Sequence, residues 1–349
     1  MFVVNFLGGY AVAPAVLRHT HTFCSFADTV MPQFFVAVGF ALRLTFVRRA
    51  AEAGTAAAYR RAVGRGLALV LLGCVYHRLT GRYESWAELT AVPAGEWPLR
   101  LLKRGPFETL THIGVTTLWV LPVLAAPGWA RVLYTAGSGG LHALLSHAGY
   151  YGWNMTPPVG IDGGPLGFLT WTLPLAAGTL AHDWMTDGRP AGRRLVAAGV
   201  GLMVAGYALS LANRFTPPND LWSAESWRHV HDGFPLVPPD GHFGPNYWTM
   251  SQRAGSVTYL LFAAGFALAV LAAFRWACDG RGLRVGAFGL FGRNALAGYI
   301  VHDMVMGAVK PFVPRDAPGW WVGVGFAAFL GLTTLFVRHL DRHRLYLRL

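Results

Sequence analysis

Residues 255–275 read GSVTYLLFAAGFALAVLAAFR, and no charged side chain interrupts the run before Arg275. At about 1.5 Å of rise per residue, such a segment covers the ~30 Å of a bilayer's hydrocarbon core. Comparable apolar runs recur at 1–17, 29–47, 62–79, 109–126, 129–147, 165–183, 194–212, 286–309 and 319–337. Backbone facing lipid must satisfy its own hydrogen bonds, so these runs predict about ten transmembrane helices. Pro32, Pro122 and Pro174 fall inside spans and mark expected kinks.

Composition agrees with the spans. The 349 residues are 54% hydrophobic and 13% charged, against roughly 25% charged in soluble domains, and mean hydropathy is +0.38. Too little charge is present to cover two soluble surfaces. The expected fold is all-α, a polytopic membrane helix bundle forming a single membrane-embedded domain over 1–349.

The chain carries 29 Lys and Arg against 17 Asp and Glu. Lysine occurs only at Lys103 and Lys310, and no basic run is present, so nucleic acid is not an expected partner. Arginine instead lies scattered between apolar stretches. Seventeen basic residues fall on one set of alternate, short segments, from Arg43 to Arg348, and eleven on the longer opposite set; Arg293 lies within a span. The positive-inside rule then puts both termini in the cytoplasm, with the protein multi-pass in the cell (inner) membrane. Segments 80–108 and 213–254 face outward, the latter as a structured cap. Cys24, Cys74 and Cys278 have no metal-ligand or disulfide spacing. The first span starts at Met1 with no basic residue before it, and is expected to be the outer part of a helix truncated at its start.

Polar residues in apolar surroundings are functional candidates by default. The densest group is Asn5, Arg18, His19, His21, Ser25, Asp28 and Gln33. A carboxylate near an imidazole raises its basicity and fixes its tautomer, which suits a general base. A continuous first helix would put Asn5 about three turns below the histidines. The His19-x-His21 spacing is also compatible with a metal, but no third ligand is evident and no metal is expected. Alternatively Asp28 only caps a helix. A second group lies in LFGRNALAGYIVHDMV, Leu290–Val305, where Arg293, Asn294, His302 and Asp303 are expected buried in or near one span. Asn294, Gly298 and His302 recur on one face, as a polar path or an interhelical clamp. GPNYWTMSQR, Gly244–Arg253, leads into the eighth span with Tyr247 and Trp248 as interfacial anchors or ligand contacts. PPVGIDGGPLGFLTW, Pro157–Trp171, is a glycine-rich turn without a nucleotide-loop pattern. The arginines from Arg43 to Arg65 orient the chain first and offer sites for an anionic cofactor second.

The order VNF (Val4–Phe6), LRH (Leu17–His19), ADTVMPQFF (Ala27–Phe35) and VGF resembles the start of the heparan-α-glucosaminide N-acetyltransferase family. NYWTMSQR and GRNALAGYIVHD resemble that family's later segments, and IDGGPLGFLTW a loop of its bacterial members, so the likeness runs from Val4 to Asp303. Two departures stand out. The arginine motif preceding the first span is absent, and the family's DPEG loop reads DGGP at Asp162–Pro165, without the glutamate.

The resemblance implies a membrane acyltransferase. It would move an acyl group, acetyl in the family, from cytosolic acyl-CoA to an amino sugar or glycan hydroxyl outside. His19 corresponds best to the family's catalytic histidine, with His21 its rival, Asp28 to its aspartate and Asn5 to its first-span asparagine. Asn246, Trp248, Ser251, Arg293, Asn294, His302 and Asp162 are the expected substrate and cofactor contacts. Membrane lipid, acetyl-CoA and the acceptor are the expected partners, and the reading admits a homodimer. The alternative is a proton-coupled transporter or flippase that uses the same buried His and Asp residues. Such proteins often show internal repeats, and none is visible here.

Overall fold

The computed structural model describes residues 1–21, 23–77, 85–96, 103, 106–214 and 246–347. Among them every regular element is helical. In chain order these are α1 (Phe2–Leu7), α2 (Phe26–Ala53), α3 (Thr55–His77), α4 (Trp86–Ala91), α5 (Thr109–Leu124) and α6 (Gly128–Leu145). They continue with α7 (Tyr151–Met155), α8 (Phe168–Thr186), α9 (Ala191–Ser210), α10 (Val257–Arg275), α11 (Gly286–Arg293), α12 (Ala295–Val309) and α13 (Gly319–Arg342). Among the described residues, four stretches, Phe26–Ala53, Ala191–Asn213, Val257–Gly280 and Gly319–Arg342, are long and apolar enough to cross a membrane. The chain is thus all-α, with spanning-length apolar helices compatible with a membrane protein. The other expected spans are helical but shorter or more polar. Helix α5 has 16 residues, α3 carries Arg60, Arg61 and Arg65, and α8 carries His182 and Asp183 near its end.

The chain divides into two units. The first comprises Met1–His19, Ser25–Ala27 and Phe274–Leu349; the second comprises Thr20–Cys24 and Asp28–Ala273.

In the first unit, the expected continuous helix over 1–17 does not form. Helix α1 stops at Leu7, where Gly8–Gly9 follows, and only one 3-10 turn, Ala15–Leu17, succeeds it after Pro14. Two adjacent glycines cost helix propensity and a proline fixes the next bend, so this six-residue helix is not extended. Asn5 therefore does not lie on a helix continuing toward the histidines. Helix α1 instead packs on α13, with Phe6 stacked on Phe329 at 4.9 Å. Phe6, Tyr10, Val313, Ala317, Val322 and Phe329 form that unit's core. The single span expected over 286–309 is two helices broken at Asn294, whose backbone leaves helical geometry at φ −118°, ψ 35°. Its side chain donates to the Leu290 carbonyl oxygen at 3.4 Å, a local bond that competes with helix continuation.

The second unit is built from helix pairs that meet backbone to backbone. A Cβ added at Gly39 of α2 would lie 1.9 Å from the Leu175 carbonyl oxygen of α8, and one at Gly178 of α8 2.0 Å from that of Val36. Helices α3 and α5 meet in the same way at Gly66 and Gly114, and α9 and α10 at Gly199 and Gly265. Small residues at such crossings are how helices associate where lipid removes the hydrophobic drive. Around these seams Val36, Ala177, Ala181, Leu195, Ala264 and Leu268 fill the core. Pro32, Pro122 and Pro174 all lie within helices, as expected.

Candidate functional site

A buried polar web in the second unit joins three of the segments singled out in the sequence. Its centre is the turn before α8. Asp162, Gly163 and Gly164 take positive φ in succession, 54°, 87° and 60°. A left-handed aspartate, only 3% exposed, is costly backbone that persists only when its surroundings hold it. Here they do. The Asp162 carbonyl oxygen accepts the Trp171 indole N–H at 2.7 Å, and its Oδ1 accepts Gln252 Nε2 at 2.8 Å. The Gly163 amide donates to the Arg253 carbonyl at 3.1 Å, and the Gly163 carbonyl accepts the Tyr150 hydroxyl at 2.6 Å. Gly255 crosses this turn with φ 59°; a Cβ there would lie 2.8 Å from the Gly163 Cα. Only glycine allows both the conformation and the approach.

Trp171 carries the web inward. It stacks on Phe35 at 4.6 Å and stands edge-on to Tyr259 at 6.1 Å. The Tyr259 hydroxyl donates to the Asp28 carbonyl at 2.7 Å. Asp28 is 1% exposed, and its Oδ2 accepts the Thr20 hydroxyl at 3.2 Å. Thus Asp28 and Asp162 are tied to one buried tryptophan–tyrosine pair, although 134 positions separate them. The Thr20 amide, 3.4 Å from Asp28 Oδ2, brings the segment that carries His21 against the start of α2. His19 belongs to the other unit and is exposed. Burial and the Asp28 carboxylate push the Cys24 thiol up, so it is no thiolate nucleophile.

The 246–256 segment closes the web. Asn246 binds the Asn213 carbonyl at 2.9 Å and accepts the Trp248 amide at 2.9 Å; Ser251 Oγ accepts the Ala254 amide at 3.2 Å. Asn246 and Ser251 therefore shape the turn, whereas Trp248, half-buried, lies 5.5 Å from the exposed His147 ring. Tyr247, Tyr150, Tyr151 and Trp153 extend this aromatic patch. Burial pushes the Tyr150 and Tyr247 phenols up, keeping both as protonated donors. Most of the expected cap, residues 215–245, lies outside the described residues, as do 80–84, 97–102, 104 and 105 of the segment 80–108.

The first unit gathers Asn5 with His302, 297 positions apart, at 3.0 Å between Nδ2 and Nε2. His302 Nδ1 faces the Tyr299 carbonyl, which makes Nδ1 the protonated nitrogen and Nε2 the acceptor of the Asn5 amide. Asn294, Gly298 and His302 are all buried, with the helix broken at Asn294. Two residues expected to be buried with them are not. Arg293 is exposed and pairs with Asp341 at 2.8 and 3.0 Å, and Asp303 is exposed. An arginine at the end of a short helix reaches water and a carboxylate more cheaply than a membrane interior.

A third cluster escaped the sequence. Asp183 at the end of α8 receives Arg43 Nε at 2.9 Å, His182 Nδ1 at 3.0 Å and the guanidinium of Arg131. Arg43 also donates to the Leu124 carbonyl at 2.6 Å. Arg131 is 1% exposed. An aspartate closing an apolar run was the available signal, because a carboxylate there requires a cationic partner. His112 was missed as well; it is fully buried 6.3 Å from Trp171. None of the three cysteines forms a disulfide. Among the described residues, no three His, Cys, Asp or Glu side chains converge as a metal-binding group. No family model matches the chain, and no curated protein matches it.

Proposed function

We propose that this chain is an integral membrane acyltransferase that moves an acyl group, acetyl in the first instance, from acyl-CoA to a sugar amine or hydroxyl. The observation that carries the reading is the buried web in which Asp28, Asp162 and the 246–256 segment converge on Trp171 and Tyr259. Two carboxylates and strained backbone held inside an apolar helical unit are costly, and such cost marks chemistry or ligand binding. The order of motifs that resembles the heparan-α-glucosaminide N-acetyltransferase family supports the same reading.

In this scheme the chain crosses the inner membrane about ten times with both termini cytoplasmic. Acyl-CoA approaches the arginine-bearing end, and the aromatic patch around His147, Trp153 and Trp248 takes the acceptor. His19 or His21 accepts the proton of the acceptor N–H or O–H while the acceptor's lone pair bonds to the acyl carbon. The C–S bond breaks, and the departing thiolate takes the proton back as CoA thiol. Asp28 holds and charge-stabilises the His21 imidazole, which lies on the segment that Thr20 ties to it. Release of CoA thiol from acetyl-CoA by the purified protein, dependent on an added amino sugar, tests the reading. Full activity in both His19→Ala and His21→Ala variants would overturn it.

A second reading, a proton-coupled transporter, is favoured by one observation. The 286–309 run is broken at buried Asn294, near the Asn5–His302 bond, and broken helices are typical of transporter sites. Proton-coupled solute uptake by proteoliposomes without any thiol release separates it from acyl transfer.

A further inference from the structure

We propose that a groove between α6, α8, α9 and α10 holds one acyl chain of an anionic phospholipid, whose phosphate sits at the arginine-bearing end of the second unit. The groove encloses about 370 Å³. Its walls include Leu173, Leu202 and Leu261, and apart from the Thr135 hydroxyl no side chain lining it is polar. Two of its walls, α9 and α10, belong to spanning-length apolar stretches. Its mouth runs along Val132, Ala136 and Gly140, at i, i+4 and i+8 on the exposed face of α6. Nine residues of helix give it a length of about 13 Å, suited to a single extended alkyl chain and too apolar for a sugar or nucleotide.

Charge selects the lipid. The groove begins one residue after Arg131, and a Cβ placed on Gly128 would lie 3.2 Å from Leu180 of the groove wall and 3.9 Å from Arg131 Nη2. The Arg131 guanidinium thus stands at the groove's end. Asp183 engages only its Nη2, while buried Nε and Nη1 have no hydrogen-bond partner. The turn from α8 to α9 adds Arg189, and the first turn of α9 adds Arg193 and Arg194, where the helix dipole is also positive. The acids of this end, Asp183 and Asp187, are each bonded to arginine already. The end keeps a surplus of positive charge, and a membrane lipid supplies phosphate and chain together. The inference does not depend on acyl transfer.

Native mass spectrometry of the full chain, released from micelles containing phosphatidylglycerol and phosphatidylcholine, tests it. One phosphatidylglycerol per chain is expected, retained about tenfold over phosphatidylcholine. Filling the groove with Ala136→Phe and Gly140→Phe should cut retention about tenfold, and a Cβ on Gly140 meets nothing within 4 Å. Gly201→Phe, on the exposed face of α9, is the matched control and should change nothing. Arg193→Ala with Arg194→Ala should bring the two lipids to near parity. Equal retention of both lipids by the unaltered protein, or unchanged retention after groove filling, would overturn the proposal. So would displacement by glycerol phosphate as effective as by the whole lipid, which marks a headgroup site alone. On the unaltered chain, a phosphatidylglycerol with a photoreactive tail group should label peptides of α6 and α8; labelling confined to other helices would equally overturn it.

Discussion

The two ends of α8 solve the same problem by opposite means. At Asp183 a carboxylate is held by two arginines and a histidine, all through side chains. Twelve residues earlier, about 18 Å along the helix, Trp171 reaches a buried aspartate through its carbonyl oxygen, and backbone conformation does most of the holding. The first end is charge matched to charge and tolerates exposure. The second is neutral bonding around fixed left-handed turns, and it tolerates neither an added atom nor an added charge. The proposed acyl transfer draws on the end whose geometry is rigid, and the proposed lipid binding on the end whose charge is in surplus.

The largest expected effect breaks the rigid end. Gly163→Val forces a β-branched residue to φ 87° and puts a Cβ 2.7 Å from the Gly167 Cα. It should cost about 3 kcal/mol or more and abolish transfer, read as thermal unfolding in micelles and as thiol release. Gly188→Ala has the same left-handed constraint, φ 74°, but open space around it, and should cost only about 1 kcal/mol. Equal losses would erase the contrast drawn between the ends.

Removing the carboxylate in Asp183→Ala strands Arg131, which is 1% exposed, and should cost about 3 kcal/mol. The paired change Arg131→Met with Asp183→Leu should restore most of it, because the buried Arg131 charge and its partly exposed partner are then replaced by apolar volume. Trp171→Phe keeps the stacking on Phe35 but orphans the Asp162 carbonyl, at about 1–2 kcal/mol. Its effect on transfer should exceed its effect on unfolding if the strained turn is the working part.

The smallest effect is at exposed Asp187. The Arg189 amide and the Arg194 guanidinium hold its carboxyl below the usual 3.8. A lowered value in the folded chain means the stabilisation is fully present above the unfolded value and is lost as pH falls through the folded one. Asp187→Asn should thus lower Tm slightly at pH 7 and not at all near pH 2, which unfolding scans at the two pH values can check.

Helix positions were legible because apolar runs end where charge begins. The run 29–47 lies within Phe26–Ala53, and 319–337 within Gly319–Arg342. Breaks inside apolar runs were not legible. Gly8–Gly9 and Asn294 interrupt helices without interrupting hydrophobicity, so periodicity alone passes over them. For the site, Asp28 and Asp162 were visible as polar residues in apolar surroundings. Their common anchor on Trp171 and Tyr259 was not, since both look like ordinary core aromatics. Arg131 was counted only as an orienting charge, because its partner lies 52 residues away and no local spacing betrays the pair.

The glycine seams carry a mechanical consequence. At Gly39 and Gly178 a main-chain oxygen of each helix occupies the place a side chain would take on the other, leaving no rotamer to change when the helices shift. Helices α2 and α8 therefore move as one strut, and so do α3 with α5 and α9 with α10. Any breathing of the second unit must open between struts rather than within them. The space between α6 and the α9–α10 strut, where the groove already lies, is the joint with room to give.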